Sequence, residues 1–380
     1  LYLRDLWTTE ARLYGLDIFP TFALDLNARA DGEFDVVFRN RERDGWGDSK
    51  WLALASFLRG VFQQTVYPEY FNVHQSGLNL TGMARWDAEK RRYQAAASAA
   101  WRGDARRRLE AGVDVRNENW DIRRSFTGAA PLLGGLNLRR ESFSAGLTSF
   151  VSGRWTWSTG AELSHRDYRS VVAGPALTPS LLSQGYQLKH RAGVDYELWR
   201  VPEARFVVRA GGSSQEARIW SQPSHVFLKL QGSLGAQWFP QSRGDDYQTR
   251  ARVRAGKTVG QVPFDELFRL GLDPDNDLLL RAHIGTRGGR PGSSPLGRNY
   301  FLSNWELDKK VYQAGLIGVK FGPFVDTGKI SDPAPGLGSQ KWLWDLGAQV
   351  KLQVLGVGLV FSYGKDLRSG ANAFYARLGR

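Results

Sequence analysis

Along most of this chain the apolar residues recur at every second position. Leu109, Ala111, Val113 and Val115 alternate with Arg108, Glu110, Asp114 and Arg116. Tyr186, Leu188, Ala192, Val194, Tyr196 and Leu198 alternate with Gln187, Lys189, Arg191, Asp195 and Glu197. The same pattern runs from Val226 to Trp238 and from Tyr247 to Ala255, with Lys229, Gln231, Gln248, Arg250 and Arg252 among the polar positions. In the clearest run, Trp342, Trp344, Leu346, Ala348, Val350, Leu352 and Val354 share one parity, and Asp345, Gln349, Lys351 and Gln353 share the other. After a tight turn at Leu355-Gly356 the pattern resumes as Val357, Leu359, Phe361 and Tyr363. A period of two puts successive side chains on opposite faces of a β-strand. These runs exceed the usual soluble strand of about 5–6 residues and match the roughly 9–11 residues that cross a bilayer at a tilt. About 16 such strands fit between Lys50 and Arg380, the first near Lys50 to Gln63 and the last near Ala371 to Arg380. In lipid every backbone polar group must be paired, so the sheet must close. The expected fold is all-β, a 16-stranded antiparallel transmembrane β-barrel over residues 45–380.

The first 44 residues read differently. Leu3, Leu6, Trp7, Leu13 and Leu16 recur at mostly helical spacings, and Gly15 closes the pattern. Two strand-like runs follow, Phe19 to Asn27 and Glu33 to Arg41, joined by Ala30-Asp31-Gly32. Arg43-Asp44-Gly45-Trp46-Gly47 then reads as the turn into the barrel. The opening LYLRDLWTTE lacks the basic start, apolar core and cleavage site of a secretory leader, so the chain is expected to be a mature fragment.

Composition narrows the picture. The chain has 380 residues, with 14 Trp, 13 Tyr, 20 Phe, 43 Gly and no Cys. Mean hydropathy is −0.39, and no run of apolar residues is long enough for a membrane-spanning helix. A membrane barrel is compatible with both, because lipid-facing and lumen-facing residues average out, and Trp and Tyr suit its interfacial girdles. The formal net charge of +13 would fit a nucleic-acid binder. The basic residues, however, are scattered at strand period with no recognition helix, so they are assigned to a lumen and its rims, and no nucleic-acid partner is expected.

Enzyme chemistry finds little support. There is no Gly-x-Ser-x-Gly. Ala255-Gly256-Lys257-Thr258 echoes a phosphate loop, but the motif's first glycine is replaced by Ala251 and the segment alternates like a strand. The histidines at 74, 165, 190, 225 and 283 show no metal-ligand spacing. No catalytic residue, metal site or cofactor is expected. A large soluble β-sandwich or propeller is the alternative fold, but no blade-length repeat is present.

The stretch from Pro263 to Gly328 carries the candidate site. A long Gly/Pro/Ser-rich loop containing Arg281 and Arg287 is followed by strand-like segments. In the second of these, Ile317, Val319, Phe321 and Val325 hold one parity, and Lys320, Phe324, Asp326 and Gly328 the other. With the first parity toward lipid, Asp326 points inward, below a loop with arginines. An ion pair inside the barrel is expected.

This constellation resembles the POTRA-domain outer-membrane barrels, the superfamily of BamA-like assembly factors and two-partner secretion transporters. In that family a long sixth loop folds back into the barrel and carries a hydrophobic-Arg-Gly-aromatic signature, which faces a Phe-x-Asp-x-Gly motif on a strand. Phe324, Asp326 and Gly328 match the second motif in full. Leu280-Arg281-Ala282-His283 matches the first in part, with Ala282 and His283 both departing from it. Arg287-Gly288 is the alternative; spacing to Asp326 and the run Phe264 to Gly271 favour Arg281. The helix and strand pair of residues 1–44 are similar to the C-terminal part of a POTRA module, which sits in the periplasm and can offer a sheet edge to an extended chain. Phe374-Tyr375-Ala376-Arg377-Leu378-Gly379 resembles the family's terminal seam strand, without its usual final aromatic.

The resemblance implies a non-enzymatic role in the bacterial outer membrane: inserting other barrel proteins or moving polypeptide across. Alternatives are a two-partner transporter for one dedicated exported protein and, further off, a passive porin-like channel. Implied partners are unfolded outer-membrane or exported polypeptides, outer-membrane lipid and lipopolysaccharide, and periplasmic accessory proteins.

Overall fold

The structure, a computed structural model, describes residues 3–19, 21–47, 49–124, 131–241, 243–332, 337–339 and 341–379. Helix α1 (Leu3–Leu16) precedes strands β1 (Thr21–Ala28) and β2 (Phe34–Arg41), which pair with each other in a separate two-stranded sheet. This hairpin leaves Leu26, Phe34 and Phe38 exposed. It is a smaller unit than a whole α+β module. Helix α1 is tied to the turn side of the large sheet: Gly153 N donates to Thr8 Oγ1 at 3.1 Å, and the guanidinium groups of Arg154 and Arg200 lie over the Trp7 ring.

Where the sequence predicts the first barrel strand, the chain forms helix α2 (Lys50–Leu58) and a 3₁₀ turn (Val61–Gln63). That is a correction with a local cause. Trp51, Leu52, Ala53, Leu54 and Ala55 are apolar on both parities, so no alternation holds the segment in a strand. Leu and Ala favour helix, and Ser49 caps it by accepting from Leu52 N at 3.2 Å.

The large sheet has 16 strands, every ladder antiparallel. Its strands are β3 (Thr65–Val66), β4 (Glu69–Tyr70), β5 (Asn79–Arg85), β6 (Lys90–Trp101), β7 (Asp104–Arg123), β8 (Leu132–Ser152), β9 (Trp155–Val172), β10 (Gly185–Val201), β11 (Phe206–Trp220), β12 (His225–Trp238) and β13 (Tyr247–Gly260). After the long loop, which holds short pairs β14 (Phe268–Arg269) with β17 (Leu296–Gly297) and β15 (Thr286–Arg287) with β16 (Arg290–Pro291), it continues as β18 (Asn299–Ala314), β19 (Ile317–Ser331), β20 (Leu343–Val354), β21 (Val357–Asp366) and β22 (Asn372–Leu378). The sheet does not close on itself: no backbone ladder among the described residues joins β22 to β3 or β4. The segment ahead of β3 does reach β22 through a side chain, Gln63 Nε2 donating to Ala376 O at 3.3 Å.

The burial pattern is inverted relative to a soluble protein. On β10, Tyr186 and Leu188 are 58% and 46% exposed, whereas Gln187 and Lys189 are 0% and 4%. On β20, Trp344, Leu346 and Val350 are exposed while Asp345 and Gln349 are buried. A sheet with an apolar outer face and a polar, buried inner face is built for lipid outside and charge inside. What buries the inner face is the loop between β13 and β18, and the protein's apolar core lies along it. Phe268, Leu270, Leu278 and Leu280 pack with Tyr300, Leu302, Ile330 and Leu343. Phe264 and Leu267 join Trp120, Ile122, Leu138 and Ile219.

Candidate functional site: a loop folded onto the inner face

Asp326 is the fixed point. It stands on β19, fully buried, between Phe324 and Gly328 on the inward parity. Arg281 meets it with both ends of its fork: Nε lies 2.8 Å from Oδ2 and an Nη 2.6 Å from Oδ1. The backbone N–H of Arg281 also donates to Oδ2 at 3.0 Å, and Asn304 Nδ2 donates to Oδ1 at 2.7 Å. The other guanidinium nitrogen reaches Glu306 at 3.1 Å and Gln349 at 3.0 Å. The guanidinium carbon sits 3.8 Å from the Phe324 ring centroid. A bidentate, desolvated pair with its remaining donors satisfied is the geometry in which a buried ion pair holds well.

The motif's other members follow from this docking. A Cβ at 328 would come within 3.3 Å of the side chains of Leu270 and Leu302, and one at 364 would overlap the Arg281 carbonyl at 2.6 Å. Gly364 lets the loop backbone lie against the sheet, and Gly328 leaves room for the Leu270 side chain. Arg287 is exposed on the loop's tip hairpin, opposite Arg290, so the structure brings Arg281 rather than Arg287 to Asp326. Ala282 and His283 are buried beside β20. Ala282 N donates to Asp345 Oδ2 at 2.7 Å, and His283 Nδ1 is 3.1 Å from that oxygen. The seam residues lie apart from this cluster, on the edge strand: Phe374 is exposed, Tyr375 and Leu378 are half-buried, and Gly379 N donates to Gly358 O at 2.8 Å.

Two further anchors were not singled out from sequence. Asp273 and Asp275 sit among basic residues of β5 and β6: Lys90 Nζ is 2.7 and 2.9 Å from them, and Arg85 and Arg92 are 2.6 and 3.0 Å from Asp275. Asp265 and Glu266 face β8, β9, β10 and β12. Asp265 takes Arg140 at 2.9 Å, Arg166 at 3.1 Å and the Tyr168 hydroxyl at 2.8 Å; Glu266 takes Lys189 at 2.5 Å, and its carbonyl takes Lys229 at 2.8 Å. The signal was present as basic residues on the polar parity, but periodicity does not say which loop acid each one meets.

These loop carboxylates imply a pH response. Burial alone would raise them, but Lys189, Arg140 and Lys229 hold Glu266 well below its ordinary 4.5. Lys90, Arg92 and Arg85 do the same to Asp275, ordinarily 3.8. Groups depressed in the folded state contribute stability that is complete above the unfolded values and is lost as pH falls through the folded ones. The loop is therefore expected to stay docked from pH 7 down to about 4.5 and to release only in stronger acid. Limited proteolysis of the 261–298 segment across pH checks this with an acid-active protease; release already near pH 6 would contradict it.

No family model matches the sequence, and no curated protein does. Solved structures do. CdiB from Escherichia coli superposes with a TM-score of 0.66 at 13% identity, covering 98% of this chain and 70% of that one. CdiB from Acinetobacter baumannii gives 0.57 at 12%, covering 96% and 66%. BamA from Haemophilus ducreyi lacking POTRA domains 1–3 gives 0.56 at 13%, covering 98% and 77%. At such identities the likeness is one of fold.

Proposed function

We propose that this chain is an outer-membrane barrel of the BamA-like class that handles unfolded polypeptide, either by inserting barrel proteins or by passing an extended chain across the membrane. The observation that carries this reading is the loop folded back onto the inner face and locked by Arg281 on Asp326. The inverted burial pattern supports an outer-membrane setting, with lipid and lipopolysaccharide on the apolar face. In this reading residues 1–44 end a periplasmic POTRA-like module. Its exposed hairpin would meet the rest of that module, periplasmic accessory proteins or a client strand. In this reading the sheet, which no ladder closes among the described residues, would close into a barrel through the Lys50 to Gln63 segment.

The work needs no covalent chemistry. It uses free strand edges, a weak seam and the bilayer. The test is the folding rate of an unfolded test barrel added to liposomes with and without the full-length protein. Acceleration supports insertion. No acceleration, with the protein shown to be folded, moves the reading to export of a dedicated partner.

A further inference from the structure

The position two residues after the loop arginine is unusual in its surroundings. Where the resembling family has an aromatic, this chain has His283, and it is buried against two carboxylates on neighbouring strands. Asp345 and Asp366 are directly paired across β20 and β21, and both side chains are essentially inaccessible. Nearby acids have cations: buried Asp326 has Arg281, and buried Asp308 and half-buried Glu306 have Lys351. Asp345 and Asp366 have no Lys or Arg ion-pair partner among the described residues; their ion contacts are to His283, at 3.1 Å to Nδ1 and 3.9 Å to Nε2. Asp345 Oδ2 accepts from Ala282 N, yet Asp345 Oδ1 is buried with no hydrogen-bond partner. Two adjacent buried carboxylates thus face one imidazole with no Lys or Arg ion-paired to them among the described residues, and Asp345 Oδ1 is left without a donor.

We propose that His283, Asp345 and Asp366 bind a divalent first-row cation, with zinc as the best fit. Each offers one ligand atom, and the three atoms lie within 4.8 Å of one another. Ligands at about 2.0–2.2 Å from a tetrahedral zinc lie roughly 3.4 Å apart, so adjustments of an ångström or so close the site. One imidazole nitrogen with carboxylate oxygens suits zinc or manganese over calcium. Asp366 is oriented by hydrogen bonds from Arg368 N to Oδ1 at 3.0 Å and from Ser369 N and Ser369 Oγ to Oδ2 at 3.1 and 2.5 Å, the oxygen that also faces His283. The ion would join the loop to β20 and β21 as Arg281 joins it to β19, a second clasp two residues on.

The experiment uses the full-length protein, folded in detergent, stripped with chelator and titrated with zinc chloride, then separately with manganese chloride, by calorimetry. Metal content per chain is measured in parallel. The expected result is one equivalent of zinc, released by chelator, with the zinc-loaded protein unfolding at a higher temperature. Asp366→Asn and His283→Phe are expected to weaken zinc at least tenfold while keeping the mobility shift on boiling that marks a folded barrel. His74→Gln, remote from the site, is expected to leave affinity unchanged. Wild-type protein that takes up no stoichiometric zinc overturns the proposal and leaves His283 as a simple bridge between the two acids. Unchanged affinity in both site variants overturns it as well. Neither result bears on polypeptide handling, which the liposome experiment tests separately.

Discussion

Asp326→Ala is expected to leave a sheet that folds and a loop that does not dock. Removing one member of a buried ion pair strands the other, and such losses run to about 3–5 kcal/mol. Here the stranded group is Arg281, whose fork is aligned on Asp326 and whose third nitrogen is already held by Glu306 and Gln349. Asn304 also loses its acceptor at Asp326. The apolar contacts of Leu270, Leu278 and Leu280 remain. The loop is therefore expected to loosen at this end first, while the Asp265–Glu266 and Asp273–Asp275 anchors still hold the other end. The variant should keep its strand circular dichroism and its mobility shift on boiling. It should unfold at a lower temperature, be cut by protease near 281, and lose activity in the liposome experiment. A variant with wild-type protease resistance and activity would remove the ion pair from the mechanism. Arg281→Lys is the companion, since an ammonium keeps the charge but not the bidentate fork, and an intermediate loss is expected.

Tying the two edges of the sheet together is expected to stop activity reversibly. Of the 16 strands, β3 and β4 share one place beside β5, leaving fifteen places in the row. Every ladder is antiparallel, so the end strands of an odd row run the same way. β22 therefore cannot pair antiparallel with β3–β4, and closure needs one more strand between them running in the opposite direction. The segment from Lys50 to Gln63 runs in that direction and lies there, as α2 and the 3₁₀ turn. It is held to β3 and β4 by Thr65 N donating to Gly60 O at 3.0 Å, Tyr67 N donating to Phe57 O at 2.9 Å, and Arg59 and Ser56 on Glu69. On the β22 side it holds Ala376 O through Gln63. The chain has no cysteine, so Gln63→Cys with Ala376→Cys adds a unique pair. If the seam must part to admit a client, oxidation should reduce activity at least tenfold and reductant should restore it. Full activity in the cross-linked protein would place the working path elsewhere.

The sequence was most readable where one face meets lipid. Alternation from Tyr186 to Leu198 and from Trp342 to Val354 located β10 and β20, because lipid and lumen impose opposite chemistry on neighbouring residues. The helix over Leu3–Leu16 was legible for the corresponding reason at period 3.6. The Lys50–Gln63 segment was not, since a run that is apolar on both parities carries no period to read. The loop was legible in one residue only. Arg281 could be matched to Asp326 by spacing to a motif, whereas Glu266 with Lys189 and Asp275 with Arg85 join positions 77 and 190 apart in the chain. Those pairings depend on how the sheet curves. The acids around His283 carry no sequence signal, because they lie 62 and 83 positions away and the pairing of β20 with β21 assembles them.

The strands are unequal in length, and a bilayer would feel it. β7 and β8 have 20 and 21 residues, while β5 and β22, next to the seam, have seven each. At about 3.3 Å per residue, seven residues reach roughly 23 Å before tilt, less than the ~30 Å hydrocarbon thickness; α2, at nine residues, is about 14 Å long. One side of the wall overshoots the hydrocarbon and the other falls short of it. Lipids beside the seam must shorten to match, at a cost of fractions of a kcal/mol per ångström of mismatch. Under the proposed function the membrane would then be thinnest where the sheet is unpaired, and the barrier to a strand entering from the side would be lowest at that edge.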